Sequence, residues 1–234
     1  MMIDRKHFFD AIRPALFGDN LSQSQVDGMD AIIDEWERRN LSDVRWLAYI
    51  LATAYHEVGR TMQPVREGFK RTDTEARSYV KGNGERYAVS VNGRVYYGRG
   101  LVQLTWLANY KAMSEILGID LIGSPDLALQ LPIAVKIMFE GMIRGTFTGY
   151  RLADYLNSDQ YQYYNARRIV NGLDQATKIA AYAVVFEHAI LASPDAVIPP
   201  LHPAEPIPLP VAPVAQPSVW TRIWNAIVGI FTTT

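Results

Sequence analysis

Leu47-Ala48-Tyr49-Ile50-Leu51-Ala52-Thr53-Ala54-Tyr55-His56-Glu57-Val58 decides how this chain is read. Leu47, Ile50, Leu51, Ala54 and Val58 recur at helical spacing, so one face of this stretch should point into a core. In Leu41-Ser42-Asp43, Ser42 reads as the cap of that helix, and Gly59 as its stop signal. Upstream, residues 4–58 read as helical, and Ile32, Ile33 and Trp36 share one side of an amphipathic piece from Asp30 to Trp36.

Residues 60–100 change character. They are polar and rich in Gly and Arg, with an alternating piece at Tyr87-Ala88-Val89-Ser90-Val91 followed by the turn signal Asn92-Gly93. This predicts a small β-element on a helical protein. The stretch holds nine Lys/Arg against four Asp/Glu. A solvated loop surface is the commoner source of such a surplus; a groove for an anionic polymer is the functional one. Helical patterns return at Leu104–Leu117, Ile133–Ile143 and Ala176–Leu191, with Ser124-Pro125-Asp126 as a turn before a short helix.

The last part differs again. Nine of the chain's 13 prolines fall in residues 193–217, which predicts a stiff linker. Trp220, Ile223, Trp224, Ile227 and Phe231 then form a helical stripe. The expected division is a catalytic domain over 1–192, the linker over 193–217 and an amphipathic helix over 218–234. Residues 219–231 are too few to span a bilayer. They suit peripheral membrane contact, docking on their own domain, or a partner.

Composition removes several functions. The chain has 234 residues and net charge −1, which disfavours a generally basic nucleic-acid binder. It has no cysteine, so disulfides, a thiol nucleophile and a cysteine zinc site are excluded. His56-Glu57 invites a zinc reading, but the second His of that motif would fall at Arg60. Gly98 and Gly100 lack the third glycine of a dinucleotide fingerprint. Charged residues precede any long apolar run at the N-terminus, so no secretory signal is read there.

Glu57 borders the apolar face of its helix, where desolvation would raise its pKa and suit it to general acid work. Periodicity alone leaves an ordinary Glu near a helix end as the commoner reading. Glycoside hydrolysis needs a second carboxylate, and Glu67, Asp73, Glu75 and Glu85 are candidates. Beside Glu67, Arg66 could hold it ionised, as a general base requires. In Tyr96–Trp106, polar residues stand among aromatics and Leu. That mix suits a sugar groove as well as it suits a buried turn entering a helix.

Together these pieces resemble glycoside hydrolase family 19, the chitinase and lysozyme-like family, with phage-type endolysins nearest. The matching motifs are Ala54-Tyr55-His56-Glu57, Met62 to Glu67, Tyr96 to Tyr110, Ser124 to Ala128 and Asn165 to Gly172. The resemblance covers roughly residues 40–192. It implies a mainly helical, two-lobed fold with a groove, and an inverting mechanism that uses neither metal nor cofactor. It implies Glu57 as acid and Glu67 as base. Substrate contacts would come from His56, Tyr97, Gln103, Thr105, Asn109 and Asn171, with the Thr105 hydroxyl helping to hold the water.

Plant-type members carry longer loops and cysteines between the two acids, and chitinases carry a basic residue in the last helix where Tyr182 stands here. The implied function is an endolysin cutting the β-1,4 bond between N-acetylmuramic acid and N-acetylglucosamine. Chitin cleavage and non-catalytic wall binding are the alternatives. The expected setting is a monomer made in a host cytoplasm and acting on peptidoglycan strands of the cell wall.

Overall fold

Ten consecutive residues of the central helix, Leu47–His56, are buried. A helix covered on every side lies in the middle of its domain. The computed structural model describes residues 2–191, so the expected linker and C-terminal helix lie outside the described residues. The domain is mainly helical, as expected. Helices α1 (Arg5–Phe17), α2 (Gln23–Arg38) and α3 (Val44–Glu57) make up the N-terminal third. The continuous helical reading of residues 4–58 is broken twice, at Gly18, which turns left-handed, and after the positive-φ residue Asn40. The cap of α3 is one residue later than expected. Asp43, not Ser42, accepts the Arg45 N–H. A carboxylate at that place also receives the Arg45 guanidinium, at 2.5 Å.

Strand β1 (Val65–Arg66) pairs antiparallel with β2 (Arg99–Gly100), and between them runs α4 (Asp73–Gly82). The β-element therefore exists, but not at the alternating piece. Arg86–Ala88 is a 3-10 turn, and Val91 and Arg94 make a single bridge across Asn92-Gly93, both at positive φ. Helix α4 was hidden in the sequence by its polar face. Only Ala76 and Val80 of it are buried. A Thr72–Glu75 capping box starts it, which is a local signal that the polar reading passed over.

The remaining helices are α5 (Leu107–Leu117), α6 (Leu131–Arg144), α7 (Tyr163–Ala166) and α8 (Ala176–Leu191). Helix α8 has the expected bounds and packs along α3. Phe8 of α1 stacks on Phe186 of α8, with ring centroids 6.2 Å apart. Buried side chains form two cores. The larger spans all the helices except α4, and the smaller comprises Ala76, Val80, Tyr87, Val95 and Tyr97. No helix among the described residues is long and apolar enough to cross a membrane.

Gly28 of α2 lies against the backbone of residue 62. A Cβ there would stand 1.8 Å from the Met62 carbonyl oxygen. Alanine favours a helix over glycine, but backbone cannot step aside as a side chain can. Gly28→Ala should cost about 1–3 kcal/mol of stability through that overpacking. At about 2–4 °C per kcal/mol for a domain of this size, thermal melting would register it. An unchanged Tm would mean that α2 and residue 62 do not meet this closely.

Candidate active site

Glu57 is the last residue of α3, so its carboxyl leaves the core where the helix ends. Its surroundings differ from the expected apolar ones. The Arg167 guanidinium donates to it at 2.5 Å, and both side chains are largely buried, at 3% and 7% exposed. Arginine is a permanent cation, so this is a charge-assisted bond in a poorly solvated place. Arg167 opens a 3-10 turn just after α7 and also donates to the Asp174 carbonyl at 3.1 Å. Helix α7 is held against α3 by Tyr163, which stacks on Tyr49 at 5.8 Å.

His56 is buried, and burial pushes its imidazole down to about 4, so it is neutral at pH 7. Asn171 is buried beside the same turn. Its backbone N–H donates to the Arg167 carbonyl and its side chain accepts from Gly172 N–H.

Glu67 follows β1 and opens a 3-10 turn in which Gly68 and Phe69 both take positive φ. It is 1% exposed. The Tyr87 hydroxyl donates to one carboxyl oxygen at 2.5 Å, and the Gly98 N–H donates to the other at 2.7 Å. Both bonds favour the carboxylate, but burial outweighs them and raises this group to about 7. The expected partner is elsewhere. Arg66 donates to Asp126 at 2.6 Å and to the Arg71 carbonyl. Arg66 therefore does not hold Glu67 ionised, because its carboxylate partner is Asp126 on the 3-10 turn Pro125–Leu129.

Gln103 joins Glu67 around Gly98. A Cβ on Gly98 would meet the Gln103 side-chain oxygen at 2.8 Å and a Glu67 oxygen at 3.2 Å. The glycine is thus needed for room. Gln103 donates to the carbonyls of Val65 and Gly100. Thr105 donates to the Gln103 carbonyl at 2.7 Å, and Asn109 to the Thr105 carbonyl at 2.9 Å. These three side chains form a short ladder leading from the strand pair into α5.

Tyr97 is placed differently from the expectation of a substrate contact. Its side chain is fully buried in the smaller core, donates to Asp73, and lies under the Arg99 guanidinium at 3.5 Å. It supports the wall behind Gly98. Arg99 is itself buried and bridges Asp73 of α4 to Asp126.

The expected residues thus fall into two clusters. Glu57, His56 and Asn171 gather at Arg167; Glu67, Gln103, Thr105 and Asn109 gather at Gly98 and its turn. Sequence reasoning missed Arg167, which is 110 positions from Glu57, and Tyr87, which is 20 from Glu67. Arg167 stands inside the quoted Asn165–Gly172 motif, but no local spacing ties it to Glu57.

The basic surplus of residues 60–100 is partly consumed within the fold. Arg66, Arg77 and Arg99 pair with Asp73 or Asp126, and Arg94 donates to the Gly123 carbonyl. Tyr182, where a basic residue was expected in chitinases, packs edge-on against Tyr55 at 4.8 Å.

Residues 51–143 match the glycoside hydrolase family 19 model described as "Chitinase class I". Over 88 residues the chain is 31% identical to "Basic endochitinase CHB4" of Brassica napus, covering 38% of this chain and 31% of that protein. Over 35 residues it is 51% identical to "Inactive chitinase-like protein 1" of Hevea brasiliensis, covering 15% of this chain and 11% of that one. The chain spans less than a third of the length of either relative. One of them is named as inactive, so likeness alone does not decide activity. Among solved structures, a bacterial family 19 chitinase aligns with a TM-score of 0.51 and 20% identity, over 85% of this chain and 99% of that one. At that identity the likeness is one of fold. Residues 51–143 thus resemble the family 19 model, and the described domain has the fold of a family 19 chitinase.

Proposed function

We propose that this domain hydrolyses a β-1,4-linked polymer of N-acetylglucosamine, chitin in the first instance, by inversion at two carboxyl groups. The supporting observation is Glu67, a buried carboxyl raised to about 7 on the segment that matches the family. A general base works best when its pKa lies near the working pH. In this reading Glu57, ion-paired to Arg167, must take up a proton before it gives one to the glycosidic oxygen, while Glu67 takes one from the attacking water. The Thr105 hydroxyl has its proton committed to the Gln103 carbonyl, so its oxygen is left to accept from that water.

The acid limb of the pH–rate profile should then follow Glu67. Activity on a chitin oligomer should fall about tenfold per pH unit below about 7, as the base becomes protonated. A rate that rises steadily from pH 7 to pH 5 would remove Glu67 from the base role.

A second reading takes peptidoglycan as the substrate, as in an endolysin. It rests on an open hollow of about 660 Å³ formed by the chain just after Glu67 and by α4, lined by Phe69, Lys70, Arg71, Thr74, Glu75, Ser78 and Tyr79. Its two cations would suit the lactyl and peptide carboxylates of murein, which chitin lacks. Mass analysis of products from chitin oligomers and from purified murein separates the readings. N-acetylglucosamine oligomers support the first, and products ending in reducing N-acetylmuramic acid support the second. Binding to either polymer with no product from either would identify a non-catalytic wall-binding protein.

A further inference from the structure

Trp106 occupies the place where α5 would normally be capped. Ser, Thr, Asp or Asn usually stand there, because their side chains accept a free backbone N–H. The Trp106 side chain makes no capping bond. Its backbone also sits at φ +74, a region that bulky residues rarely enter. Bonds on both sides hold it there. Its N–H donates to the Tyr96 carbonyl at 2.9 Å, and its own carbonyl accepts from Asn109 and Tyr110. Such a conformation costs on the order of 1–3 kcal/mol and gathers at functional positions.

Trp106 is 36% exposed as a residue, in a stretch whose other residues, Leu101–Thr105, are buried. Its inner side meets Tyr87 edge-to-face, with centroids 5.2 Å apart and planes at 76°. Tyr87 in turn donates its hydroxyl to Glu67. An indole therefore stands partly in solvent, one ring away from a buried carboxyl, and next in the chain to Thr105.

We propose that Trp106 is a stacking platform for one pyranose ring of the glycan, and that Tyr87 is a positioning residue which sets Glu67 beneath that ring. The inference rests on the glycosidase reading and adds to it a sugar contact and a relay. A pyranose ring presents C–H bonds on one face. An aromatic face takes them up while the polar edge of the sugar stays free for Gln103, Thr105 and Asn109. Trp106 also limits how far the Tyr87 ring can swing, so a sugar seated on the indole fixes the hydroxyl that orients the base. The groups facing Glu67 are Tyr87 and Glu85 from the segment after α4, the Gly98 N–H, Arg99 of β2, Tyr79 of α4 and Tyr110 of α5.

Three variants test this: Trp106→Phe, Trp106→Ala and Tyr87→Phe, each checked by thermal melting. Calorimetric titration of an N-acetylglucosamine hexamer into the Glu57→Gln background reads binding without turnover. Trp106→Ala should weaken binding by about tenfold and raise KM by the same factor, and Trp106→Phe should recover part of both. Tyr87→Phe should leave affinity and KM in place and lower kcat. It should also move the acid limb of the pH–rate profile upward, because the carboxylate loses a donor. Unchanged hexamer affinity in Trp106→Ala would overturn the platform, and so would absence of hexamer binding by the parent. An unmoved pH limb in Tyr87→Phe would overturn the relay. A parent that binds the hexamer through Trp106 but releases no product would sink the glycosidase reading and leave the sugar contact standing.

Discussion

Glu57→Gln should lower glycan hydrolysis by at least about 10²–10⁴-fold, the range typical of losing a general acid. The side chain keeps its size, and its oxygen can still accept from Arg167. What it loses is charge. Arg167 is 3% exposed and would keep its positive charge in a buried place with no carboxylate opposite. Breaking one side of a buried pair leaves that charge uncompensated and costs about 3–5 kcal/mol when no bond remains. The retained amide bond should reduce this, so a Tm several degrees lower with an unchanged far-ultraviolet spectrum is expected. Activity within tenfold of the parent would take Glu57 out of the mechanism. An unchanged Tm together with lost activity would mean that the Arg167 pair does not stabilise the fold.

Glu67→Gln should remove activity to a similar extent, about 10²–10⁴-fold, but move stability the other way. Glu67 is raised from 4.5 to about 7 in the folded protein. The folded state therefore holds this proton more tightly than the unfolded chain does. The resulting stability is fully present below about pH 4.5 and is lost as pH rises through about 7. At pH 8 the parent protein keeps an unfavourable buried anion, worth on the order of 1.4 kcal/mol per pH unit of displacement. A neutral glutamine removes that cost. Its oxygen can still accept from the Gly98 N–H, while the Tyr87 hydroxyl can turn to accept from the new amide. Parent and variant should melt together near pH 4.5, and the variant should melt several degrees higher at pH 8. Equal melting temperatures at both pH values would mean that burial does not penalise this carboxylate.

The two isosteric changes thus distinguish two kinds of acidic residue. One carboxyl is held by a buried cation, the other by neutral donors inside an apolar wall. The hydrophobic pattern of residues 47–58 could not separate them. That pattern placed Glu57 beside apolar neighbours, and adjacency placed Glu67 beside Arg66; both partners proved to be others. The reason lies in reach. Arg167 arrives through α7, 110 residues along the chain, while Arg66 turns to Asp126, 60 residues away.

The sequence by itself determined the helical class, the core-facing positions Leu47, Ile50, Leu51, Ala54 and Val58, the closing helix Ala176–Leu191 and the Asn92-Gly93 turn. Each depends on periodicity or on local backbone preference, which neighbouring residues carry between them. It also marked Glu57, Glu67, Gln103, Thr105 and Asn109 through motifs in a fixed order. Tertiary structure alone decided which charge meets which. It sent Tyr97 into the smaller core, gave Glu67 to Tyr87 and Gly98, and left Trp106 at the surface beside them. Burial and electrostatics act through space, and residues far apart in the chain set them. A stretch of sequence can therefore name a carboxyl, but only the packed fold sets its charge.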